Sequence, residues 1–218
     1  MKKLMIFLGI FAGLITVFNQ QVYAFDIVPQ FVSMVQTKTL GLYRAPNEIK
    51  LYSEPDETSE LIDVIKWSKE GIDPNIINAQ DLFVIYLPDE NLGFLAVLDD
   101  KENWVQVIYN NSTGDTAWIK KDTLENYMTW EKFFDVYGHK YGLKILSGTA
   151  DDDKNIYAEP DDFSKVVGKV YKLQKINLHA VKGDYASVTV IDIENRATTG
   201  YVRWRDENGI KYFFPDIP

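Results

Sequence analysis

Two short segments of this chain alternate between hydrophobic and polar positions. In residues 104–109, Val105 and Val107 fall on one face of an extended strand and Gln106 falls on the other, and residues 185–191 alternate in the same way. Because successive side chains of a strand point to opposite faces, this period of two predicts half-buried β-strands. A polar loop rich in turn-forming residues follows each segment. Short strands separated by such loops are typical of a small barrel or sandwich.

In the segment between these two strands, the apolar residues are spaced differently. Its apolar positions have the i, i+3, i+4 and i+7 spacing of an amphipathic helix: Trp130, Phe133, Phe134 and Tyr137. Thr129 stands at the N-cap position, and Gly138 stands near the C-terminal end. We therefore predict one short helix over residues 129–137. We expect its aromatic face to pack against one or both of the neighbouring β modules rather than to bind a ligand.

One motif occurs twice in the chain. Residues 49–62 and residues 154–167 both read apolar-Tyr-x-Glu-Pro-Asp-acid-x-Ser-x-apolar-apolar. In each case an aromatic residue, an alternating strand, a turn and a second aromatic residue follow in the same order. A repeated order of this kind predicts a duplicated module.

The first copy contains an additional segment at about residues 67–98. Turn-forming residues stand at positions 71–75, and residues 82–87 and 93–98 are two apolar runs. We predict that these runs are the strands of a lengthened or added hairpin. Insertions into the loops of a stable scaffold often carry binding specificity, and the alternative is an elaboration without a function.

The first 24 residues have the pattern of a secretory signal peptide. Two lysines precede an apolar run at residues 4–18, and the small residues Val22 and Ala24 suit cleavage before Phe25. The run is shorter than the roughly 20 residues that span a bilayer. We expect an exported protein, periplasmic or extracellular, with no stable membrane anchor after cleavage. A retained anchor is the alternative.

The composition argues against several functional classes. The chain has no cysteine, so it forms no disulfide and lacks the nucleophile of a cysteine peptidase. Its net charge is −9 and no basic stripe is visible, so we do not expect a nucleic-acid partner. The two histidines, His139 and His179, stand in no metal-binding motif, and the acidic clusters lack the spacing of a calcium loop. We therefore expect no metal ion and no cofactor.

The repeated motif resembles the bacterial Src-homology-3-like domain family. In the first copy the resemblance rests on Tyr52, Pro55, Ser59, Trp104, Val107, Trp118 and Ile119, and in the second on Tyr157, Pro160, Ser164, Gly168, Tyr185, Val188, Gly200, Tyr201 and Val202. It covers roughly residues 49–124 and 154–204. The resemblance implies a small, strongly bent β-barrel in an exported protein of the cell envelope. Some members of this family bind peptidoglycan stem peptides or cross-bridges, and many accompany a cell-wall hydrolase.

Together with the spacing of apolar positions along the strands and the helix, the resemblance implies a mainly β fold. We expect two small bent β-barrels of the Src-homology-3-like type with one short linking helix. After the signal peptide at residues 1–24, the first barrel is expected at residues 25–125, with its insertion at about 67–98. The linker helix is expected at residues 126–147 and the second barrel at residues 148–218.

Equivalent aromatic residues and one arginine are the candidate ligand-binding residues: Tyr52, Trp104, Trp118, Tyr157, Tyr185, Tyr201 and Arg203. Tyr and Trp offer a large apolar area with a polar tip, which suits a groove that stacks peptide or sugar. For each aromatic residue, the alternative is packing in the core. Arg203 and Arg205 share one strand face, where they either capture a carboxylate or form cross-strand ion pairs.

These patterns indicate a non-catalytic binding or scaffolding module of the bacterial cell envelope. The expected partner is a peptide, either from peptidoglycan or from an envelope protein. Two alternatives remain: a protein–protein adaptor with no affinity for the wall, and a hydrolase that uses a pair of carboxylates. A repeated aromatic groove favours peptide or glycan binding, an extended apolar patch on one barrel favours the adaptor, and two close carboxylates beside the insertion favour the hydrolase.

Overall fold

The computed structural model describes residues 38–74, 76–122 and 126–217. Within these ranges the fold is mainly β, as the sequence predicts, with two sheets, few helices and a curled half-barrel arrangement of strands. None of the helices in these ranges is long and apolar enough to cross a membrane. The predicted signal peptide lies outside the described residues.

The first sheet has nine strands, which come from the described residues before the longer helix. They are β1 (Gly41–Arg44), β2 (Glu48–Tyr52), β3 (Leu61–Ser68), β4 (Gly71–Ile72), β5 (Ile85–Leu87), β6 (Leu92–Lys101), β7 (Trp104–Asn110), β8 (Asp115–Lys120) and β9 (Tyr127–Thr129). Their order across the sheet is β4-β3-β2-β8-β7-β6-β1-β9, and β5 pairs with β6. Helix α1 (Ala79–Leu82) interrupts the chain between β4 and β5.

The second sheet has seven strands, which follow helix α2 (Trp130–Tyr141). They are β10 (Leu143–Ile145), β11 (Asn155–Tyr157), β12 (Val166–Lys169), β13 (Lys175–Lys182), β14 (Tyr185–Ile191), β15 (Ala197–Arg203) and β16 (Phe213–Pro215). Their order is β12-β11-β15-β14-β13-β10-β16. Strand β10 lies in the segment that the sequence assigns to the linker, so pairing within the second sheet begins directly after α2.

Alternation along the strands builds the core of the first sheet. Val105 and Val107 on β7 lie opposite Ile119 and Ala117 on β8, and all four side chains are buried on the inner face. Strand β14 has the predicted bounds, and its buried residues alternate with half-buried ones in the same way. The intervening residues Trp104 and Gln106 of β7 and Tyr185, Ser187 and Thr189 of β14 are half-buried and point to the outer face.

Helix α2 begins where the sequence predicts and ends later. The Thr129 hydroxyl accepts a hydrogen bond from the backbone N–H of Lys132 at 3.2 Å, which is the expected N-cap. The helix continues through Gly138 to Tyr141. Gly138 lies inside the helix in close contact with β13, and a Cβ at this position would lie 2.6 Å from the end of the Leu178 side chain. Gly142, with φ +79°, follows the last helical residue.

Aromatic rings join α2 to both sheets. The ring centroid of Phe133 lies 5.8 Å from that of Phe94 on β6, and Phe134 lies 4.0 Å from Trp204, just after β15. These side chains belong to one buried hydrophobic cluster that contains residues of both sheets. The expected packing of the aromatic helix face is therefore confirmed, and it involves both sheets.

The insertion forms a hairpin with a different start from the predicted one. The strand expected over residues 82–87 is β5, which begins only at Ile85 because Leu82 belongs to the short helix α1. The backbone N–H of Phe83 still bonds to the carbonyl of Ala79, while that of Val84 bonds to the carbonyl of Phe94. The apolar run is buried in both conformations, so hydrophobicity alone did not reveal this boundary.

Candidate functional site

The first repeated motif folds into the turn of the β2–β3 hairpin, here called the first hairpin. The N–H of Asp56 bonds to the carbonyl of Glu54 at 2.8 Å, and the N–H of Ser59 bonds to the carbonyl of Asp56 at 3.0 Å. The Asp56 carboxylate accepts from the N–H of Thr58 at 2.8 Å, and the Ser59 hydroxyl donates to the carbonyl of Asp56 at 2.7 Å. The Asp and Ser of the motif therefore satisfy the backbone of the turn.

The second motif folds into the turn of the β11–β12 hairpin, the second hairpin, with matching hydrogen bonds. The N–H of Asp161 bonds to the carbonyl of Glu159 at 2.8 Å, and the N–H of Ser164 bonds to the carbonyl of Asp161 at 3.0 Å. The Asp161 carboxylate accepts from the N–H of Phe163 at 2.9 Å. The motif therefore specifies one turn conformation at both places.

Each hairpin brings a tyrosine to the outer face of its sheet, beside an aromatic residue that lies two strands away in the strand order. In the first sheet the rings of Tyr52 and Trp104 have centroids 5.4 Å apart and an interplanar angle of 90°. In the second sheet Tyr157 and Tyr185 are 6.3 Å apart at 85°. We call these the first and second aromatic pairs. Edge-to-face packing of this kind is favourable.

The outer-face position follows from strand alternation. Trp104 precedes buried Val105, and Tyr185 precedes buried Ala186, so each ring projects from the side of the sheet opposite the core. All four residues of the two pairs are half-buried. These aromatic residues therefore do not belong to the buried core clusters of the protein.

In each sheet, the third of the predicted aromatic residues lies directly opposite the tyrosine of the hairpin. Trp118 faces Tyr52 across β8 and β2, and Tyr201 faces Tyr157 across β15 and β11. Trp118 is 6% exposed, and the amine of Lys101 lies 4.2 Å from its ring centroid. Tyr201 is half-buried. Of the two, Tyr201 therefore presents more surface to a ligand.

An ion pair stands beside each aromatic pair. Lys120 on β8 bonds to Glu57 in the first turn at 2.8 Å, and Arg203 on β15 bonds to Asp162 in the second turn at 3.0 Å. Lys120 lies opposite Trp104, and Arg203 lies opposite Tyr185. The ion pairs therefore hold each turn against the outer face, although exposed pairs of this kind contribute little to stability by themselves.

The second aromatic pair has an additional hydrogen bond. The hydroxyl of Tyr185 donates to the carboxylate of Asp162, so Asp162 binds both Tyr185 and Arg203. Burial and this contact with Asp162 raise the pKa of Tyr185, which keeps the hydroxyl protonated as a donor. The Nε of Arg203 is buried without a hydrogen-bond partner among the described residues. Because this atom is buried, it is not exposed to an incoming ligand.

The structure supplies ion-pair partners for both arginines that the sequence singled out. Besides the pair formed by Arg203, Arg205 binds Asp184 at 2.6 Å and Glu131 of α2 at 3.1 Å. Glu57 and Asp162 were not among the predicted site residues. A signal for them was present, because an acidic residue follows Pro-Asp in both copies of the motif.

A separate cleft of about 580 Å³ lies in the second half of the chain, away from the predicted site residues. It is lined by Ile145, Leu146, Ser147, Gly148, Thr149, Asp151, Lys154, Val170, Tyr171 and Lys172. Within the described ranges, no group of three or more His, Asp or Glu side chains is placed to hold a metal ion.

Comparison with models of known protein families found no match to this chain, and comparison with curated proteins found no significant match.

Proposed function

We propose that this chain is an exported, non-catalytic binding protein of the bacterial cell envelope, built from two related units of the Src-homology-3-like type. Each unit uses its outer-face aromatic pair to recognise a peptide, with peptidoglycan stem peptides or cross-bridges as the leading ligand class. The observation that carries this proposal is the half-buried aromatic pair, which stands at equivalent places on the outer face of both sheets.

The repetition supports two related units because it extends beyond sequence. The two hairpins share their turn hydrogen bonds, and each has a register shift directly before the motif tyrosine, Tyr52 or Tyr157. In each sheet an aromatic residue on one strand lies opposite a cation on the next strand: Trp104 lies opposite Lys120, and Tyr185 lies opposite Arg203. Agreement at all of these levels is what a duplicated unit with a common ancestor would produce.

The chemistry of the site supports binding of a peptide or another polar, flexible ligand. Half-buried tyrosine and tryptophan rings supply apolar contact at a small entropic cost, and their hydroxyl and indole groups supply hydrogen bonds. The Arg203 guanidinium and the Asp162 carboxylate place a pair of opposite charges at the edge of the second pair. Such a surface suits the carboxylates and amides of a short peptide.

A second candidate function is a protein–protein adaptor, which the distribution of exposed apolar side chains favours. In the second half Phe163 is 98% exposed, Leu173 94% and Ile193 86%. A contiguous patch of exposed apolar side chains marks a protein-interaction site. In this alternative the second half docks another protein of the envelope.

Co-sedimentation with purified insoluble peptidoglycan tests the proposed function. Residues 25–218, which include every described residue, should sediment with the peptidoglycan. Replacing Trp104 and Tyr185 together with alanine should weaken binding about tenfold or more, because a buried aromatic contact is a typical binding hot spot. The Ile193→Ala variant is the control, since it shortens an apolar side chain that lies outside the aromatic pairs.

Circular dichroism and thermal unfolding of each variant must show a retained fold before the result is interpreted. If the unsubstituted protein stays in the supernatant, the wall-binding proposal is wrong, and the adaptor function becomes the better candidate. If the double substitution binds as well as the unsubstituted chain, the wall is bound through another surface and the role of the aromatic pairs is wrong.

A further inference from the structure

Two apolar side-chain pairs, one on each hairpin, are exposed to nearly the same extent. On β3, Leu61 is 47% and Ile62 41% exposed; on β12, Val166 is 48% and Val167 41% exposed. These residues occupy the same places in the repeated motif. We call them the β3 pair and the β12 pair.

A β-bulge explains why two consecutive residues are exposed. The pairing register of β2 and β3 shifts between Leu51 and Tyr52, and that of β11 and β12 shifts between Ile156 and Tyr157. The extra residue in the outer strand breaks the usual alternation, so neither member of the pair is turned into the core. The exposure is therefore built into the hairpin and does not depend on side-chain flexibility.

Both pairs lie on strand edges that are open within the described part of the chain. Strand β12 is the last strand of its sheet. The outer neighbour of β3 is β4, which pairs only with Trp67 and Ser68 and leaves the start of β3 uncovered. An edge strand presents unpaired backbone N–H and C=O groups, and apolar side chains beside them make it a template for another strand.

The charges beside the two pairs are opposite. Glu60 and Asp63 flank the β3 pair, whereas Lys165 precedes the β12 pair and Lys169 follows it after the intervening Gly168. Glu60, Asp63 and Lys165 form no ion pair with any residue that the structure describes, while Lys169 binds Asp151. The two edges are thus similar in apolar character and complementary in charge.

We propose that the start of β3 in one copy of this chain pairs antiparallel with β12 of a second copy. In the register that joins the apolar pairs, Leu61 lies opposite Val167 and Ile62 lies opposite Val166. The same register places Asp63 opposite Lys165, where an opposite-charge cross-strand pair is favourable.

Symmetric association of like edges is disfavoured by charge. Two β3 edges joined through their apolar pairs place Glu60 of one copy opposite Asp63 of the other. Two β12 edges joined in the same way place Lys165 opposite Gly168, beside Lys169 of the other copy, and form no opposite-charge pair. Like charges that face each other across an interface destabilise that contact. A contact between unlike edges leaves one free edge on each end, so the assembly extends into open chains unless its geometry closes a ring.

Sedimentation velocity of residues 25–218 over a concentration series tests this proposal in the absence of any peptidoglycan, so its result is independent of wall binding. The weight-average mass should rise with concentration, because a contact of a few residues per copy is weak. A mass that stays at the monomer value up to about millimolar concentration, where weak contacts of this size form, would overturn the proposal.

Two single-edge variants test the unlike pairing directly. Ile62→Lys blocks the β3 edge and Val166→Lys blocks the β12 edge, since a charged residue on an edge strand prevents pairing. Each variant alone should remain monomeric. An equimolar mixture should form a heterodimer of twice the monomer mass and nothing larger, because only one pair of edges remains. A mixture without a heterodimer would contradict the proposal.

A charge exchange keeps the test valid if the lysine variants fold poorly. Asp63→Lys should reduce association because it places a lysine opposite Lys165. Combining Asp63→Lys with Lys165→Asp should restore it, since the opposite-charge pair is present again with its members exchanged. Failure of the second change to restore association would show that these residues do not face each other.

Discussion

Replacing Phe134 with alanine is expected to lower the free energy of unfolding by about 3–5 kcal/mol, the usual range for removing a fully buried phenylalanine. The Phe134 ring is 0% exposed, and its centroid lies 4.0 Å from that of Trp204 and 5.6 Å from that of Phe214. Shortening the side chain leaves a cavity among large rings, which fill it poorly. Urea unfolding followed by tryptophan fluorescence measures the loss.

Phe134→Leu is the matched control for this substitution. Leucine retains most of the apolar volume and suits a helix, so we expect a loss well below that of alanine, about 1.5 kcal/mol or less. A loss below about 1 kcal/mol for Phe134→Ala itself, far under the usual cost of such a cavity, would contradict the packing of α2 against the second sheet.

Replacing Trp67 with alanine is expected to lower the free energy of unfolding by a similar amount, about 3–5 kcal/mol. Trp67 on β3 is 4% exposed, and its ring lies 5.0 Å from Phe83. Its indole N–H also donates to the carbonyl of Pro46 at 2.6 Å. The substitution therefore removes core packing and a hydrogen bond together. Trp67→Phe keeps a ring and loses the donor, so the difference between the two variants separates these contributions.

The positions of Phe134 and Trp67 also predict how their effects combine. They belong to different buried clusters, one that contains α2 and both sheets and one confined to the first sheet with α1. Effects at distant sites without shared partners are usually additive within about 0.5 kcal/mol. The double alanine variant should therefore lose nearly the sum of the two single losses. A much smaller combined loss in chemical unfolding would show that the two clusters are coupled.

Several elements were predictable because local pattern and final structure agree. The bounds of β14 and the start of β7 follow from alternation over single strands that are buried on one face. The start of α2 follows from Thr129 and the aromatic stripe. In these segments the same residues carry the local signal and the tertiary contacts, so no outside information is needed.

Other elements depend on contacts that a single sequence does not display. Strand β1 has consecutive buried residues, including Leu42 and Tyr43, because both of its faces are covered. Its partner β9 is a short segment directly before the helix. Neither strand alternates, so neither was predicted. The continuation of α2 past Gly138 was not predicted either, because a glycine near the end of an apolar stripe is also the usual signal of a helix end.

The candidate site was partly predictable for a similar reason. Equivalent aromatic residues could be found from the repeat, and alternation places Trp104 and Tyr185 on the face opposite the buried valines. The sequence did not show that each motif tyrosine meets its ring neighbour edge to face. Nor did it show that Asp162 holds Arg203, because both contacts depend on how the turn folds over the sheet.

The most direct test of the proposed function is an NMR titration of residues 25–218 with soluble peptidoglycan fragments that contain the stem peptide. We expect chemical-shift changes at both aromatic pairs, including the indole N–H of Trp104 and the ring protons of Tyr185. The Trp104→Ala variant should lose the changes at the first pair and retain those at the second. Saturable changes confined to another surface, or none at either pair, would contradict the proposal that the paired aromatic residues form two equivalent binding sites.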